Sequence, residues 1–507
     1  MADQWTVLLE PSSRHFQGES AIDAAALLVG TLPAKWSERW TTVPDRPVLW
    51  TREREWVTGG DLDDLSRRAA GALRRHGVSR GDRIALCGDS SLPMIACYLG
   101  ALRSGVVVVP MNAGATGAEI LRIAGDAGVS LVVHPGETLA GMGLSVPVVA
   151  GAGLLADPGD ARTGGLDELE PGDAALICFT SGTTGRPKGA VITHGNLYSC
   201  SRALEQAWRW QPEDRLLLTL PLSHVHGLCF SLNTLLLVGA SAVVAEKFDP
   251  GWVTDAVAKY DATMFFGVPT MYHRLVTDPD VARMAQLRLC VSGSAPLAPT
   301  LFEKFQNATG HPPLERYGLT EALVCVSNPY EGLRVPGSVG LPLPGVEVGL
   351  DPEGIVHVRS PSVFAGYYEN PAATADAVDA DGWLRTGDIG AVDDHGYLKL
   401  LGRNIDLIVT GGYNVYAREI ENALLENELV SEAAVVGMPS EEWGEEVVAF
   451  VVPGRAAVDE EDLLGPLRRD LAGYKRPRRI RFIDELPRNH MGKVQKHHLI
   501  ADQQGAV

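Results

Sequence analysis

Thr180-Ser181-Gly182-Thr183-Thr184-Gly185-Arg186-Pro187-Lys188-Gly189 is the stretch on which the reading of this chain turns. It follows a short apolar run, Ala174 to Phe179, which predicts a buried strand. The loop is dense in hydroxyls and glycine. Glycine lets backbone N–H groups approach an anion and turn toward it. Three threonines and a serine add hydroxyl donors, and Lys188 adds a point charge. That combination suits a polyphosphate that must be held and then released. The loop is not a Walker A motif, which ends in Gly-Lys-Ser/Thr. Here Pro187 precedes Lys188 and Gly189 follows it, so the usual kinase and ATPase chemistry is not indicated.

The rest of the composition narrows the class. At 507 residues the chain exceeds one ordinary core and predicts two to four domains or subdomains. A hydrophobic content of 45% with 21% charged residues is that of a soluble globular enzyme. No run reaches the ~20 apolar residues of a membrane-spanning helix, so no membrane insertion is expected. The start, Met1-Ala2-Asp3-Gln4-Trp5, shows neither the basic nor the apolar region of a signal peptide. Seven scattered cysteines without a CxxC pair favour reduced thiols and a cytoplasmic location. A net charge of −19 argues against nucleic acid, whose phosphates need basic faces. It also means that a site for anions must concentrate positive charge against the overall field.

Along the chain, helical patterns alternate with short Val/Ile/Leu runs. Leu62 to His76 has helical spacing, while Arg83 to Cys87 and Gly105 to Pro110 read as buried strands. Gly151-Ala152-Gly153-Leu154-Leu155-Ala156 imitates a dinucleotide fingerprint, but Asp157-Pro158-Gly159-Asp160 would break the helix it needs, so a linker is expected. Thr263 to Val268 and Leu287 to Val291 are further strands. Ligands in such sheets bind outside the strand C-termini. The loops Gly267-Val268-Pro269-Thr270 and Ser292-Gly293-Ser294-Ala295-Pro296 are therefore candidate walls of one pocket. After Arg403 the texture changes. Glu419 to Leu425 reads as a helix, Ala433 to Val436 and Val447 to Val452 as strands, and Leu486 to Gln495 as a polar, basic loop.

The Thr180–Gly189 stretch resembles the phosphate loop of the adenylate-forming superfamily, which includes acyl-CoA synthetases, adenylation domains of peptide synthetases and beetle luciferases. Other motifs of that family follow in order. Arg316-Tyr317-Gly318-Leu319-Thr320-Glu321, expected in a strand-to-helix setting, resembles the segment that closes over adenine and phosphates. The resemblance implies that Tyr317 stacks near adenine, Thr320 bonds a phosphate oxygen and Glu321 holds Mg²⁺. Arg316, Gly318 and Ser294-Ala295-Pro296 would complete the nucleotide site with Thr180, Ser181, Gly182, Thr183, Thr184 and Lys188. Within Gly382-Trp383-Leu384-Arg385-Thr386-Gly387-Asp388, Asp388 would accept both ribose hydroxyls, since a carboxylate offers two acceptor oxygens to a vicinal diol. Arg403 would bind ribose or phosphate. Gly411-Gly412-Tyr413-Asn414-Val415-Tyr416 resembles the segment that shapes a thiol tunnel, and Pro487 to Lys496 the loop that presents a catalytic lysine, Lys493. The run Arg403-Asn404-Ile405-Asp406 departs from the family, which places Lys or Asp where Ile405 stands; Asp406 or Asn404 would serve as pivot.

The implied fold is α/β, with a large N-terminal domain of layered sheets and flanking helices over residues 1–402 and a small mobile α+β domain over 403–507. The implied reaction takes ATP, Mg²⁺ and coenzyme A. A carboxylate attacks the α-phosphorus, pyrophosphate leaves, and a thiol then attacks the acyl-AMP. Lys493, with Thr320, Glu321 and His224, is expected to carry the chemistry. Leu220-Pro221-Leu222-Ser223-His224-Val225-His226-Gly227-Leu228 falls where the family places its acid pocket, so His224 and Val225 would line it. Amino-acid-activating relatives usually place an Asp here, and none stands between Leu220 and Phe230. Gly267 to Arg274 and Asn328 to Gly337 are similar to segments of malonyl-CoA synthetases. Arg274 is the first candidate to pair with a second carboxylate and Arg334 the second, unless it only braces a loop. The apolar run Ala322 to Val326, with Val324 in the pocket, would accommodate an alkyl substituent on malonate or a different, more apolar acid. The expected activity is an acid–CoA ligase for malonate or an alkylmalonate. The alternatives are loading of a carrier-protein phosphopantetheine, or a medium-chain or aryl acyl-CoA synthetase.

Overall fold

A computed structural model describes residues 5–9, 15, 27, 29–135, 146–156, 164–180, 187–403, 406–410, 413–440, 443–454, 458–471, 473–489 and 492–504. Two large sheets carry the N-terminal part. The first has six parallel strands at its centre, in the order Leu314–Leu319, Leu289–Ser292, Met264–Gly267, Arg215–Leu218, Ser241–Val244 and Pro47–Thr51. Their near-continuous apolar runs, such as Met264-Phe265-Phe266, fit strands covered on both faces. The second sheet orders Gly366–Tyr367, Lys188–Thr193, Ala174–Thr180, Val107–Met111, Arg83–Cys87, Leu131–Val133 and Val148–Val149. One core spans both sheets. It includes Leu216 and Met264 from one, Ile84 and Val108 from the other, and Leu99 and Leu204 from helices Leu92–Arg103 and His194–Ala207. A third, antiparallel sheet ends in the paired strands Leu384–Val392 and Leu398–Arg403.

The smaller C-terminal domain has its own cores. Helix Ala417–Leu425 covers one face of strands Val430–Ser440 and Gly444–Pro453, while Leu486 and Leu499 cover the other. Alternation along these strands sends Val435 and Val447 to one core and Val436 and Val448 to the other, as a period of two requires.

Two local expectations need correction. Gly151–Ala156 is a short helix rather than a linker, although residues 157–163 after it lie outside the described residues. Arg316 to Glu321 does not lead into a helix. Leu314–Leu319 turns back at Thr320-Glu321-Ala322 and pairs antiparallel with Leu323–Ser327. The β-branched, apolar character of Leu323 to Ser327 favours a strand, and Leu323 takes the left-handed backbone that the tight return requires (φ 55°). The phosphate loop is likewise a hairpin tip: Thr180 and Lys188 are cross-strand partners, with residues 181–186 between them outside the described residues.

Candidate active site

A cleft of about 1990 Å³ lies between the two domains. Its lining brings Ser294, Ala295, Pro296, Arg316, Tyr317, Gly318, Asp388 and Arg403 together with Lys493 from the C-terminal domain. These positions are scattered over some two hundred residues of sequence.

The end of the cleft that holds Asp388 and Arg403 is built on sheet register. Asp388 and Arg403 are directly opposed on neighbouring antiparallel strands. Arg403 Nε lies 3.1 Å from Asp388 Oδ1, and Tyr317 donates its hydroxyl to Asp388 Oδ2 at 2.6 Å. The carboxylate is thus aimed from both sides. Burial works against the Arg403 charge, but Asp388, Tyr317, Asp406 and Glu321 around it hold its pKa above the ordinary arginine value. Arg403 therefore senses the carboxylates of both the Asp388 strand and the Glu321 turn.

Lys188 and Glu321 sit beside the cleft at the base of the phosphate hairpin, next to Pro187, which lines it. Tyr367 donates to Glu321 Oε1 at 3.0 Å, and the Thr180 hydroxyl lies 3.5 Å from the same oxygen. The Lys188 ammonium stands 5.1 Å from the centre of the Tyr367 ring. This oxygen-rich surround, with a carboxylate whose Oε2 has no hydrogen-bond partner among the described residues, fits a hard cation brought in with phosphates. Ser181, Gly182, Thr183 and Thr184 lie outside the described residues. Among the described residues no group of three or more His, Cys, Asp and Glu could hold a metal by itself.

The segment after Leu220 approaches the cleft at Ser294. Leu220 to Val225 leads into a π-helix, His226–Asn233, a form that concentrates at functional sites. His224 and Val225 are half-buried at its entrance, and His226 is buried, its Nδ1 3.1 Å from Ser294 Oγ. Ser294 holds a left-handed backbone (φ 71°) that a non-glycine residue adopts only under constraint. Burial, then Arg316 and His224, push the His226 pKa well below its ordinary value, so the ring is neutral. Arg316 lies over the Phe230 ring at 4.9 Å and reaches Ser294 Oγ at only 3.5 Å. It is 4% exposed, its Nε has no hydrogen-bond partner, and among the described residues no carboxylate pairs with it. Burial pushes its pKa down to about 10. Gly293 makes room for it, because a Cβ there would fall on the guanidinium.

The other candidates differ in their surroundings. Arg274 is exposed at the rim of the cleft, over the Phe248 ring at 5.0 Å. Arg334 spends its donors on the carbonyls of Pro329, Pro312 and Tyr330, and so braces that loop. Val324 is buried in its strand and Thr320 half-buried in the hairpin turn.

Lys493 follows Gly492 (φ 74°), where a Cβ would stand 2.9 Å from Thr270 Oγ1 of the opposite domain. Asn489 closes the loop from both ends: its Oδ1 accepts the Lys493 N–H, and its N–H donates to the Lys493 carbonyl, each at 2.9 Å. Burial in the cleft, and then Arg403, lower the Lys493 pKa. A second interdomain contact was not visible in the sequence. Arg418 donates to the Leu400 carbonyl at 3.0 Å and faces Glu315, whose buried Oε2 has no partner and whose pKa burial pushes up to about 7. Residues 404–405 and 411–412, where the hinge and tunnel expectations fall, lie outside the described residues. Lys475 pairs with Glu419 at 2.7 Å, and Arg476 bonds the Leu471 and Arg468 carbonyls.

Comparison with known proteins agrees with this geometry. Residues 36–368 match the AMP-binding enzyme family model, and residues 419–493 match the AMP-binding enzyme C-terminal domain. A malonate–CoA ligase of Arabidopsis thaliana is 36% identical over 480 residues, covering 83% of this chain and 78% of the relative. A feruloyl-CoA synthase of an Amycolatopsis species is 35% identical over 468 residues, covering 87% and 92%. The crystal structure of ATP-bound MatB from Rhodopseudomonas palustris superposes with a TM-score of 0.87 at 36% identity, covering 94% of this chain and 99% of that one. The apo form of that protein gives 0.78, so the domain arrangement described here is nearer the ATP-bound form. The chain belongs to the AMP-binding enzyme family and is an AMP-forming acid–CoA ligase that uses ATP, Mg²⁺ and CoA.

Proposed function

We infer that the acid is a small dicarboxylate of the malonate or alkylmalonate type. The observation that carries this reading is Arg316: a buried guanidinium with no counter-ion among the described residues, lining the cleft beside His226, Ser294 and Phe230. Burying a cation without a partner is costly, and the site is completed by a ligand that brings the anion. A malonate whose distal carboxylate meets Arg316 keeps its other carboxylate in the cleft that Asp388, Arg403 and Lys493 also line. Arg274 at the rim draws the dianion in. A monocarboxylate would leave Arg316 unpaired, and such a mismatch in a site built for a polar partner can cost ~10⁴-fold. The malonate–CoA ligase relative supports this reading, while the feruloyl-CoA synthase relative favours the aryl alternative. A carrier-protein acceptor has no support among them.

In this reading Asp388 takes the ribose diol, with Arg403 orienting it and Tyr317 packing against the nucleotide. The phosphate hairpin with Thr180 and Lys188 holds the β- and γ-phosphates, and Thr320 contacts a phosphate oxygen. Glu321 would hold Mg²⁺, which supplies neutralisation of the phosphate charge. Lys493 sits where it can neutralise charge between the attacking carboxylate and the α-phosphate. Positioning of the two anions contributes much of the rate. His224 guards the passage between acid and nucleotide. For the second half-reaction the C-terminal domain, which we place at 403–507 after an N-terminal domain of 1–402, rotates to withdraw Lys493 and admit CoA. The two family matches fall on either side of that point. All seven cysteines are buried and unpaired, which supports a reducing compartment, proposed as the cytoplasm. Among the described residues no helix is long and apolar enough to cross a membrane.

A pyrophosphate-release screen with malonate, methylmalonate, short fatty acids and aryl acids tests the assignment. Malonate or methylmalonate should give the highest kcat/KM, with the acyl-CoA confirmed by mass. A faster aryl or fatty acid would overturn it.

A further inference from the structure

Tyr367 was not a candidate from the sequence, yet it joins the two hairpins that face the phosphates. It lies on the two-residue strand Gly366–Tyr367, paired with Val191 and Ala190 on the returning arm of the phosphate hairpin. The segment around it is tied to both hairpins through the backbone. Phe364 N–H donates to the Glu321 carbonyl at 2.8 Å, and Tyr368 N–H donates to the Gly189 carbonyl at 2.7 Å. Tyr367 N–H is itself fixed by Thr374 Oγ1 at 2.9 Å, and its ring packs edge-on against Phe364 at 4.8 Å. The ring can therefore hardly move relative to either hairpin. From that fixed position its hydroxyl reaches Glu321 Oε1 at 3.0 Å while its face receives the Lys188 ammonium at 5.1 Å.

We propose that Tyr367 is a positioning residue that holds the Glu321 carboxylate in its metal-binding rotamer and in register with Lys188. This rests on Glu321 as the magnesium carboxylate, not on the identity of the acid. One carboxylate oxygen occupied by a rigid phenol leaves the other for the metal. A carboxylate on a three-residue turn would otherwise rotate among several positions and lose that freedom on each metal binding event. Lys188 and Glu321 are opposite in sign and serve opposite parts of a metal–triphosphate. A shared aromatic anchor sets the distance between them.

The test is a binding measurement that needs no acid and no turnover. Isothermal titration calorimetry gives the ATP Kd of the full chain with EDTA and with saturating Mg²⁺. The ratio of the two measures how strongly the protein couples metal to nucleotide, since Mg²⁺–ATP association in solution is common to every variant. Tyr367→Phe keeps the ring and its contact with Lys188 and removes only the hydroxyl. The variant should reduce that ratio by about tenfold, the worth of a hydrogen bond to a charged group, with the EDTA Kd changed less than twofold. Glu321→Gln should reduce the ratio at least as far, and adding Tyr367→Phe to it should change nothing more. A ratio equal to the parent's in Tyr367→Phe overturns the proposal, as does an additive loss in the double variant. Weaker binding in EDTA by the same factor would show a structural role only and also overturns it. A Glu321→Gln protein that keeps the parent ratio overturns both the metal assignment and the role of Tyr367, while leaving the dicarboxylate reading standing.

Discussion

Replacing Arg316 by methionine separates stability from activity, because the same unpaired cation that reads an anion also burdens the fold. Burial moves the Arg316 pKa from 12.5 to about 10, which corresponds to about 3 kcal/mol against the charged form. Methionine fills similar length, keeps the contact with Phe230 and removes that charge. Arg316→Met should therefore raise the thermal midpoint of the N-terminal domain, by an amount worth at most about 3 kcal/mol after the lost cation–π contact is deducted. Malonate turnover should move the other way. A buried substrate carboxylate deprived of its partner costs about 2–5 kcal/mol. That is about thirtyfold to a few thousandfold in kcat/KM for malonate. Propionate, which has no second carboxylate, should keep its rate or gain. Arg274→Ala, made in parallel at an exposed position, should cost less than tenfold. Scanning calorimetry reads the first quantity and coupled pyrophosphate release the others. A variant no more stable than the parent, with malonate kcat/KM within threefold, would refute the reasoning.

Two further outcomes follow from groups that the cleft perturbs. Lys493 has a lowered pKa in the free protein, and bound phosphates would restore its charge, so kcat/KM for ATP should fall on the alkaline side at a lower pH than kcat does. Lys493→Ala should reduce ATP–pyrophosphate exchange ~10²-fold or more and abolish that difference between the two profiles. Coincident alkaline limbs in the parent would contradict the assignment. Glu315 has its pKa raised from 4.5 to about 7, so the native state holds that proton more tightly than the unfolded chain. Its contribution is full below about pH 4.5 and lost as pH rises through about 7, a change of about 3 kcal/mol. Glu315→Gln should therefore lose less thermal stability than the parent between pH 5 and 8, and parallel curves for the two proteins would contradict this.

The residues proposed for the nucleotide could be picked out together because they lie in short motifs in which one residue is expected to do one task. Asp388, Arg403, Tyr317 and Lys493 were expected at one nucleotide, and one cleft gathers all four. Each lies on a strand or a closed loop whose apolar or turn pattern is written locally. The hairpin at Glu321 was misread because Thr-Glu also starts helices. The left-handed Leu323 that closes the turn leaves no mark in the sequence, since leucine rarely adopts it. Tyr367 was missed because its strand has two residues and its partner is 46 positions away. Arg316 was read with the nucleotide because of its neighbours Tyr317 and Gly318. Strand alternation explains the difference: Tyr317 faces Asp388, and Arg316 points to the opposite face, toward Phe230 and His226. Contact between Arg418 and Glu315 depends on how two domains meet, which no local pattern records.

A crystal structure with ATP and malonate bound tests the central claim most directly. The account predicts one carboxylate near Lys493 and the α-phosphate, and the distal carboxylate within hydrogen-bonding distance of the Arg316 guanidinium. A distal carboxylate bound to Arg274, or left in solvent with Arg316 still unpaired, would contradict it.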